Sequence, residues 1–358
     1  MTTPFNPGST HVLVTGATSG LGRNAALWLQ QQGCQVIGIG RNPEAGRQLE
    51  QQGIQFVACD LATGDASQVH DLLKTVPAVD WVWHCAALSS PWGSWDSFYR
   101  INVLATRHLA DAASAAGIKR FIHISTPSLY FDFRHHRDVD ESFRARSFAN
   151  HYVRSKALAE TEIGRAQRHS NTLFIVLRPR AIFGAFDRVI LPRLLERVAH
   201  SGGVLKLPRA GRALMDLTFA PNVVHAMLLA STHADLPRGA AYNITNQEPV
   251  HLGDVLDSLL REELGLSFEV KSVPYAVLHA AAFFMEKAAH WTGRTPVLTR
   301  YGAGALNFDM TLSTQKAQAE LGYQAPYSMQ DAIALTAGWL KQQPGFRAGK
   351  IDGQDHPF

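Results

Sequence analysis

Cysteine is scarce in this sequence, and no apolar run is long enough to cross a membrane. The 358 residues include only three cysteines, Cys34, Cys59 and Cys85, and none of them forms a C-x-x-C pair. Isolated cysteines beside apolar runs are typical of reduced thiols in a protein core, which excludes a disulfide scaffold. The longest apolar run, residues 275–293, is interrupted by charged side chains, whereas a transmembrane helix needs about 20 apolar residues. We interpret it as an amphipathic or buried helix, with contact to an apolar substrate or a membrane surface as the alternative.

An excess of charge of one sign is also missing. The sequence has 34 Lys and Arg against 30 Asp and Glu, a formal net charge of +4, and the basic residues are interleaved with acidic ones. Without a basic stripe, no nucleic-acid partner is expected. The first ten residues, MTTPFNPGST, lack the basic and apolar regions of a secretory signal, so a cytoplasmic protein is expected. His135 and His136 have no acid, histidine or cysteine at ligand spacing, so no metal site is predicted.

Short apolar, β-branched runs alternate with helical patterns over the first half of the chain. These runs are HVLVT, QVIGIG, IQFVAC, WVWHCA, RFIHIS and TLFIVLR. Their spacing leaves room for crossover helices, which predicts an α/β fold with a doubly wound parallel sheet of the Rossmann type in residues 1–182. Residues 183–358 are predicted to form mainly a smaller C-terminal α/β lobe that binds the substrate. It includes short strands near Leu205 and Tyr242, while a segment near 214–232 is expected to return to the main domain.

The stretch VLVTGATSGLG places three glycines directly after the first predicted strand. Gly16 allows a tight turn, Gly20 allows the backbone to approach a pyrophosphate, and Gly22 allows the following helix to pack on the strand. The N-terminus of that helix adds a partial positive charge. Because the glycines lie between a strand and a helix, they predict a dinucleotide-binding turn.

The pentapeptide YVRSK is the main signal for catalysis. Tyr152 alone among the eight tyrosines has a lysine four residues later, and on a helix Lys156 would lie on the same face. A tyrosine with its ordinary pKa of about 10 is a poor base at neutral pH, but a neighbouring ammonium group favours the phenolate. Upstream, HISTPSLY ends a predicted strand at the edge where parallel sheets bind ligands. Thr126 and Ser125 are therefore candidate hydrogen-bond donors to a substrate carbonyl oxygen.

Seven segments of the chain together resemble one enzyme family. In order they are TGATSGLG, CDL, HCAA, INVLAT, STPSLY, YVRSK and LRPRAIFG, and with them the sequence resembles the extended short-chain dehydrogenases/reductases over nearly its whole length. The resemblance implies that Tyr152 is the general acid and base and that Lys156 holds the nicotinamide ribose. It implies that Thr126, with Ser125 as the alternative, orients the substrate oxygen. Asn102 is implied to lie near the active site, either beside a proton-relay water or in a packing role.

The same resemblance implies a nicotinamide dinucleotide cofactor, with Asp60 matching the acid that contacts adenine. The implied cofactor-binding residues are Gly16, Thr18, Ser19, Gly20, Leu21, Gly22, Arg41, Asp60, Leu61, Ala86, Ala87, Tyr152, Lys156 and Pro179. Arg41 stands where NAD-specific relatives carry an acid, and an arginine pairs with a 2′-phosphate that an acid would repel. NADP is therefore the predicted cofactor, with NAD as the alternative.

Family resemblance leaves several reactions open. Dehydratases of this family carry Asp-Glu after the catalytic hydroxyl, and this sequence has Pro127 and Ser128 there, which disfavours dehydration. The segments STPSLYFDF and DLTFAPNVVHA resemble the 3-beta-hydroxysteroid dehydrogenase-like branch, which includes reductases of 2-alkyl-3-ketoacids. Met215 and Asn222 depart from the Arg-Asp and Asp-Val pattern of sugar-nucleotide epimerases.

The sequence therefore predicts an oxidoreductase that interconverts a ketone and a secondary alcohol on an apolar, lipid- or steroid-like small molecule. The first alternative is a sugar-nucleotide epimerase with tightly bound NAD. The second is a non-catalytic regulator that senses the cofactor, which the presence of both Tyr152 and Lys156 disfavours. The resemblance also implies a homodimer.

Overall fold

A computed structural model describes residues 5–63, 66–75, 79–343, 346–347 and 350–351. The strands are β1 (His11–Thr15), β2 (Gln35–Gly40), β3 (Gln55–Ala58), β4 (Trp81–His84), β5 (Arg120–Ile124), β6 (His136–Val139), β7 (Leu173–Pro179), β8 (Ile182–Phe183), β9 (Val204–Leu207), β10 (Leu214–Met215), β11 (Thr218–Phe219), β12 (Ala241–Ile244), β13 (Val250–His251), β14 (Glu269–Ser272), β15 (Met310–Leu312), β16 (Phe346–Arg347) and β17 (Lys350–Ile351). The α-helices are α1 (Gly20–Gln31), α2 (Pro43–Glu50), α3 (Ala66–Thr75), α4 (Trp95–Phe98), α5 (Ala105–Ala115), α6 (His151–Arg168), α7 (Leu191–His200), α8 (Ala220–Thr232), α9 (Leu252–Leu256), α10 (Tyr275–Thr292), α11 (Arg300–Asn307), α12 (Gln315–Leu321) and α13 (Met329–Lys341).

Seven parallel strands form the main sheet, in the order β12, β7, β5, β4, β1, β2, β3. Strands β1 and β7 are buried over almost their whole length, as expected for apolar strands covered by helices on both faces. The predicted doubly wound α/β fold is thus confirmed. The carboxyl ends of these strands meet at one edge of the sheet, and the strand order reverses between β1 and β4, which is where such sheets bind ligands.

The strand near Tyr242 lies in the main sheet, and its assignment to the smaller lobe was wrong. Within β12, Tyr242 pairs in parallel with Leu177 of β7, and both side chains are fully buried. This pairing satisfies backbone groups of β7 that would otherwise form an exposed sheet edge. Helix α8 also packs against α1, in the core on one face of this sheet.

The smaller lobe has a separate apolar core. Residues of α7, β9, α9 and α13 contribute to it, together with the π-helical segment Asp257–Glu263 that continues α9. A four-stranded sheet in the order β13, β10, β15, β6 lies beside this core.

Helix α10 contains the apolar run and stops at Gly293, whose left-handed φ of 68° closes the helix without steric cost. One face of α10 is buried at Ala282, whereas Phe284 and Trp291 are 69% and 92% exposed. In the part of the chain that the structure describes, no helix is both long and apolar enough to span a membrane.

Candidate active site

A cavity of about 1150 Å³ runs along the carboxyl ends of the parallel strands and into the smaller lobe. Apart from Asn102, every predicted site residue lines it. These residues are Gly16, Thr18, Ser19, Gly20, Leu21, Gly22, Arg41, Asp60, Leu61, Ala86, Ala87, Ser125, Thr126, Tyr152, Lys156 and Pro179. The fold therefore brings segments from most of the main domain to one place.

Close backbone contacts shape the glycine-rich turn. Gly16 has a φ of 70°, and a Cβ atom there would lie 3.0 Å from the backbone nitrogen of Ala86. A Cβ atom at Gly22 would lie 2.3 Å from the carbonyl oxygen of Gly16, so only glycine fits. Helix α1 begins at Gly20, and its N-terminus faces the cavity as an anion site requires. The amide of Gly20 donates to the carbonyl oxygen of Phe186 at 2.7 Å.

Arg41 and Asp60 line the cavity beyond the ends of β2 and β3. Nη1 of Arg41 lies 4.0 Å from Oδ2 of Asp60. The other carboxylate oxygen, Oδ1, accepts the amide N–H of Ala62 at 3.0 Å, which fixes the orientation of Asp60. An exposed ion pair at this distance is weak, so Arg41 can turn to a phosphate.

Tyr152 lies in the first turn of α6, which is capped by the side chain of Asn150. Its hydroxyl group lies near the hydroxyl groups of Thr126 and Ser89, whose interactions act to lower its pKa. Burial nevertheless raises the pKa of Tyr152 to about 12. The phenol is therefore protonated at neutral pH and can donate a proton to a group in the cavity.

Lys156 follows one turn later on α6 and is almost fully buried. Its Nζ atom donates to the carbonyl oxygen of Ile124 at 2.7 Å and lies 3.3 Å from Nε2 of His123. Burial lowers the pKa of Lys156 to about 8, and Glu160 opposes this shift. An ammonium group has three donors, so one remains for an acceptor such as a ribose hydroxyl.

The neighbouring hydroxyl groups of Ser125 and Thr126 have different partners. Ser125 donates to Glu160 at 2.6 Å, and Glu160 forms a two-point ion pair with Arg178. Thr126 instead faces Tyr152. The geometry favours Thr126 as the residue at the substrate oxygen, with Ser125 in a supporting network behind it.

Asn102 lies away from the cavity wall, in the π-helical segment Tyr99–Leu104 between α4 and α5. Its Nδ2 atom donates to the hydroxyl of Ser155 at 2.9 Å and to the carbonyl oxygen of Leu88 at 3.1 Å. Its Oδ1 atom accepts the amide N–H of Leu88 at 2.7 Å. Of the two roles implied by the sequence, these contacts favour packing, because they tie the loop after β4 to α6.

Hydroxyl groups connect Tyr152 with a part of the smaller lobe that sequence reasoning missed. Thr126 donates to Ser128 at 3.0 Å, and the Ser128 hydroxyl lies 2.7 Å from that of Tyr301. The charge of Arg180 in turn acts on Tyr301. No local pattern marks Tyr301, which is 173 positions from its partner Ser128. Arg180 had a usable signal, since it lies two residues beyond the predicted strand TLFIVLR, at the ligand-binding edge.

Apolar side chains line much of the part of the cavity inside the smaller lobe, alongside the basic residues Arg193, Arg197 and Lys206. The apolar side chains include Leu194, Leu205, Met215, Leu217, Leu256 and Leu306. Leu278 and Met285 of α10 also reach the wall. An alkyl chain or ring system would be buried here without the loss of hydrogen bonds.

Sequence comparison assigns the class of enzyme to which this site belongs. The chain belongs to the NAD dependent epimerase/dehydratase family, whose model matches residues 12–245. It is therefore an enzyme of the extended short-chain dehydrogenase/reductase type that depends on a nicotinamide dinucleotide, as the sequence motifs predict.

Several relatives match over almost the whole chain. The chain is 46% identical to the uncharacterized protein YbjS of Escherichia coli (strain K12), over 92% of this chain and 97% of that protein. It is 33% identical to the 4-hydroxy-2-methyl-3-oxo-4-farnesyl-3,4-dihydroquinoline-1-oxide ketoreductase of Stigmatella aurantiaca, over 89% of this chain and 93% of that one. It is 29% identical to the 2-alkyl-3-oxoalkanoate reductase of Shewanella oneidensis (strain ATCC 700550 / JCM 31522 / CIP 106686 / LMG 19005 / NCIMB 14063 / MR-1), over 90% of this chain and 84% of that one.

A solved structure of UDP-glucuronic acid 4-epimerase from Bacillus cereus in complex with NAD is similar to this chain. The TM-score is 0.74 at 20% identity, over 95% of this chain and 99% of that one. At this level of identity the similarity shows the fold alone.

The residues present fit a nicotinamide dinucleotide. The glycine turn and the N-terminus of α1 suit the pyrophosphate, Asp60 and Arg41 suit the adenosine end, and Lys156 suits the nicotinamide ribose. When bound, the dinucleotide supplies or accepts the hydride of the reaction.

Proposed function

We propose that this enzyme interconverts a ketone and a secondary alcohol on an apolar small molecule of lipid- or steroid-like character. The observation that carries the proposal is the position of Tyr152, which shares one cavity with the dinucleotide-binding turn and with the apolar wall of the smaller lobe. Two of the relatives named above are reductases, which supports reduction of a ketone as one direction of the proposed reaction.

The side chains of the site divide the reaction between them. In the reduction, Tyr152 gives its proton to the carbonyl oxygen while the hydroxyl of Thr126 orients that oxygen. We assign to the positive charge of Lys156, one turn away on α6, the stabilisation of the tyrosinate that remains, whereas burial governs the pKa of Tyr152 in the free protein. The net change is one hydride added to the carbonyl carbon and one proton added to its oxygen, and the oxidation is the reverse.

Met215 supports this proposal over a sugar-nucleotide epimerase. It occupies the position of the arginine in the Arg-Asp pattern of those enzymes, it lines the cavity, and it is buried. A thioether cannot pair with a diphosphate as a guanidinium does.

Activity and binding measurements test the proposal directly. The purified protein is expected to oxidise NADPH in the presence of aliphatic or steroid ketones, and these ketones are expected to raise its melting temperature. A ligand at a hundredfold excess over its Kd stabilises a protein by roughly 2.7 kcal/mol, so even weak ligands are detectable. Stabilisation and turnover with UDP-glucose, without any effect of ketones, would contradict the proposal.

NADP is the proposed cofactor, because Arg41 lines the cavity at the adenosine end and is held there only by an exposed 4.0 Å ion pair with Asp60. We expect Arg41→Asp to lower the ratio of kcat/KM for NADPH to kcat/KM for NADH roughly 10- to 100-fold, because a charge-assisted contact with the 2′-phosphate becomes a repulsion. Steady-state kinetics with both cofactors measures this ratio. Arg168→Asp, the same charge change at the exposed end of α6, is the matched control and should leave the ratio unchanged. An unchanged ratio in Arg41→Asp itself would remove the basis for NADP.

The exposed face of α10 is proposed to contact an anionic lipid surface. Phe284 and Trp291 project from this face, and the exposed Lys287 and Arg294 lie beside them, which suits acidic headgroups. Met285 on the same helix lines the cavity, so an apolar substrate would have a short path from lipid to site.

The double variant Phe284→Ala, Trp291→Ala is expected to lower binding to vesicles with acidic lipid at least about tenfold, since burial of one large apolar side chain contributes about 1.5–3 kcal/mol. Co-sedimentation with vesicles measures the binding. Leu335→Ala, at another exposed apolar residue, is the control. Wild-type protein that stays in the supernatant at low salt would refute the contact.

The homodimer implied by the family resemblance and the cytoplasmic location expected from the N-terminal sequence stay predictions. Light scattering on the purified chain tests the first, and cell fractionation tests the second.

A further inference from the structure

His123 is a fully buried histidine among apolar side chains of the main sheet. It lies on β5, on the same face as Phe121 two residues earlier, and it pairs in register with Val176 of β7. Helix α6 covers this face, where its Ile163 packs in the same apolar cluster. A polar ring at such a position loses its contact with water, whereas an apolar side chain would pack there without that cost.

The ring of His123 has a single hydrogen-bond contact among the described residues. Its Nε2 atom lies 3.3 Å from Nζ of Lys156, and its buried Nδ1 atom has no partner. Burial, together with the charge of Lys156, lowers the pKa of His123 well below its ordinary value, so the ring is neutral at neutral pH. An ammonium group can only donate, so Nε2 accepts from Lys156 and the one ring proton lies on Nδ1.

The neighbouring His84 on β4 is fully hydrogen-bonded by two threonines. Burial lowers its pKa to about 3, so only one of its nitrogens carries a proton. The Thr106 hydroxyl donates to the carbonyl oxygen of Asn102 at 2.7 Å and therefore accepts from Nε2 of His84 at 2.9 Å. The Nδ1 atom of His84 accepts the Thr15 hydroxyl at 2.8 Å. A buried histidine with a purely structural role is satisfied in this way, whereas His123 has only the lysine.

Both direct partners of Lys156 in the described part of the chain are neutral. Its Nζ atom donates to the carbonyl oxygen of Ile124 at 2.7 Å and contacts His123 as stated above. Glu160, one turn further along α6, acts on Lys156 through longer-range charge, and it is held by Arg178 at 2.6 Å. The positive charge of Lys156 is therefore left for groups in the cavity that this residue lines.

Two further titratable groups lie near Lys156, besides the neutral His84. Burial raises the pKa of Cys85 to about 12 and that of Tyr152 to about 12, so both are uncharged at neutral pH. The protonated form of Lys156 thus depends on its two neutral acceptors, and loss of either one favours the neutral amine.

We infer that His123 is a positioning residue for Lys156, which it holds as an ammonium group with one N–H donor left for a ligand in the cavity. The carbonyl oxygen of Ile124 and the ring nitrogen of His123 take two of the three donors. A neutral acceptor fixes the direction of the lysine without compensating its charge, which a carboxylate in this place would do. The inference rests on the proposed function, in which Lys156 contacts the nicotinamide ribose and stabilises the tyrosinate.

The pKa of Lys156 in the ligand-free protein is the most direct readout. In NMR titrations of protein labelled with ¹³C at the lysine ε-carbon, His123→Leu is expected to lower this pKa by at least about 1, because a charge-assisted hydrogen bond is lost. His123→Gln should keep the pKa within about 0.5 of the wild-type value, since its Oε1 atom replaces Nε2 as the acceptor. Loss of the signal in Lys156→Met assigns it.

Phe121→Leu is the matched control for these variants. It shortens a buried side chain on the same strand and the same face, and it leaves the hydrogen bonds of Lys156 untouched. It should lower the melting temperature without changing the pKa of Lys156. A pKa that falls as far in Phe121→Leu as in His123→Leu would show an effect of packing alone and would overturn the inference, as would an unchanged pKa in His123→Leu.

Dinucleotide binding gives a second readout that needs no substrate. It is measured with whichever of NADP⁺ and NAD⁺ binds the wild-type protein more tightly. His123→Leu should raise the Kd at least about threefold at pH 8, where fewer molecules carry the charge on Lys156, and less at pH 6, where the lysine is protonated in both proteins. His123→Gln should stay within about twofold of wild type. A Kd that rises equally in the two variants would contradict the role as acceptor.

The wild-type protein supplies a third test, which holds even if His123→Leu fails to fold. The ¹⁵N chemical shifts of the His123 ring, assigned by their loss in His123→Gln, should show the proton on Nδ1 and an acceptor at Nε2 at pH 7. A proton on Nε2 would overturn the inference.

Failure of this inference and failure of the proposed function are distinguishable. A protein that meets these expectations but reduces no ketone keeps the contact between His123 and Lys156 and ends the proposed reaction. A ketone reductase in which His123→Leu leaves both the pKa and the Kd unchanged keeps the reaction and ends the role of His123.

Discussion

Replacement of Tyr152 with phenylalanine is expected to lower kcat by about 10²- to 10⁴-fold, the range supplied by a positioned general acid or base. The variant loses only the hydroxyl that lies near Thr126 and Ser89. The ring keeps its place against Phe98, whose centroid lies 6.3 Å away. Affinity for the dinucleotide should therefore remain within about threefold of wild type, because the residues that shape the glycine turn are untouched. Steady-state kinetics and a cofactor titration measure the two quantities.

The matched control for this prediction is Tyr99→Phe, in the π-helical segment before α5. Tyr99 is only partly buried, packs against Trp95 with tilted rings 5.6 Å apart and does not line the cavity. Its loss of a hydroxyl should leave kcat near the wild-type value. Near-normal turnover in Tyr152→Phe would show that the proton comes from elsewhere, and Tyr301 would become the next candidate.

The second large effect is expected from Gly22→Ala. The added methyl group would lie 2.3 Å from the carbonyl oxygen and 2.6 Å from the carbonyl carbon of Gly16, both of them backbone atoms of the turn. Since no flexible side chain can yield, α1 must move away from β1 or the turn must open. Overpacking of this kind costs about 1–3 kcal/mol and occasionally more, and it falls on the site of the pyrophosphate. We expect a lower melting temperature and a dinucleotide Kd raised at least about tenfold.

A glycine in open space provides the comparison. A Cβ atom at Gly338, inside α13, would meet no heavy atom within 4 Å. Gly338→Ala should therefore stabilise the protein by about 0.5–1 kcal/mol through the helix propensity of alanine. Wild-type melting and cofactor affinity in Gly22→Ala would show that the turn is looser than the structure describes.

Local sequence patterns predict the main sheet well because its strands are buried on both faces. HVLVT and QVIGIG coincide with β1 and β2, since only continuous apolar runs can lie between two layers of helices. The four residues of β12 lack such a run. They join the main sheet because they pair with the edge strand β7, a long-range contact that the local sequence does not encode. The π-helical turns in the helices beginning at Trp95 and Leu252 also have no signal in the periodicity, because they arise from packing.

In the candidate site, too, local motifs are predictable from the sequence, whereas residues brought in by the tertiary fold are not. The glycine turn and the Tyr152–Lys156 pair are local motifs, so the sequence identifies them. The direction of Ser125 away from Tyr152 is within reach of sequence reasoning, because neighbouring side chains of an extended segment alternate in direction. Ser89 and Tyr301 reach the site only through the tertiary fold, and no spacing rule connects them with Tyr152.

The hydrogen bond between the Gly20 amide and the Phe186 carbonyl oxygen links two processes that are usually treated separately. One amide N–H makes one strong hydrogen bond, so a phosphate oxygen that accepts from Gly20 must compete with the carbonyl oxygen of Phe186. The chain continues from Phe186 directly into α7, whose Leu194 and Arg197 line the substrate side of the cavity. If the dinucleotide breaks this hydrogen bond, the free energy of the α7 segment that lines the substrate side of the cavity changes. By reciprocity, substrate binding must change the affinity for the dinucleotide by the same factor. The expected consequence is a coupling between the affinities for dinucleotide and substrate that passes through the backbone of a single loop.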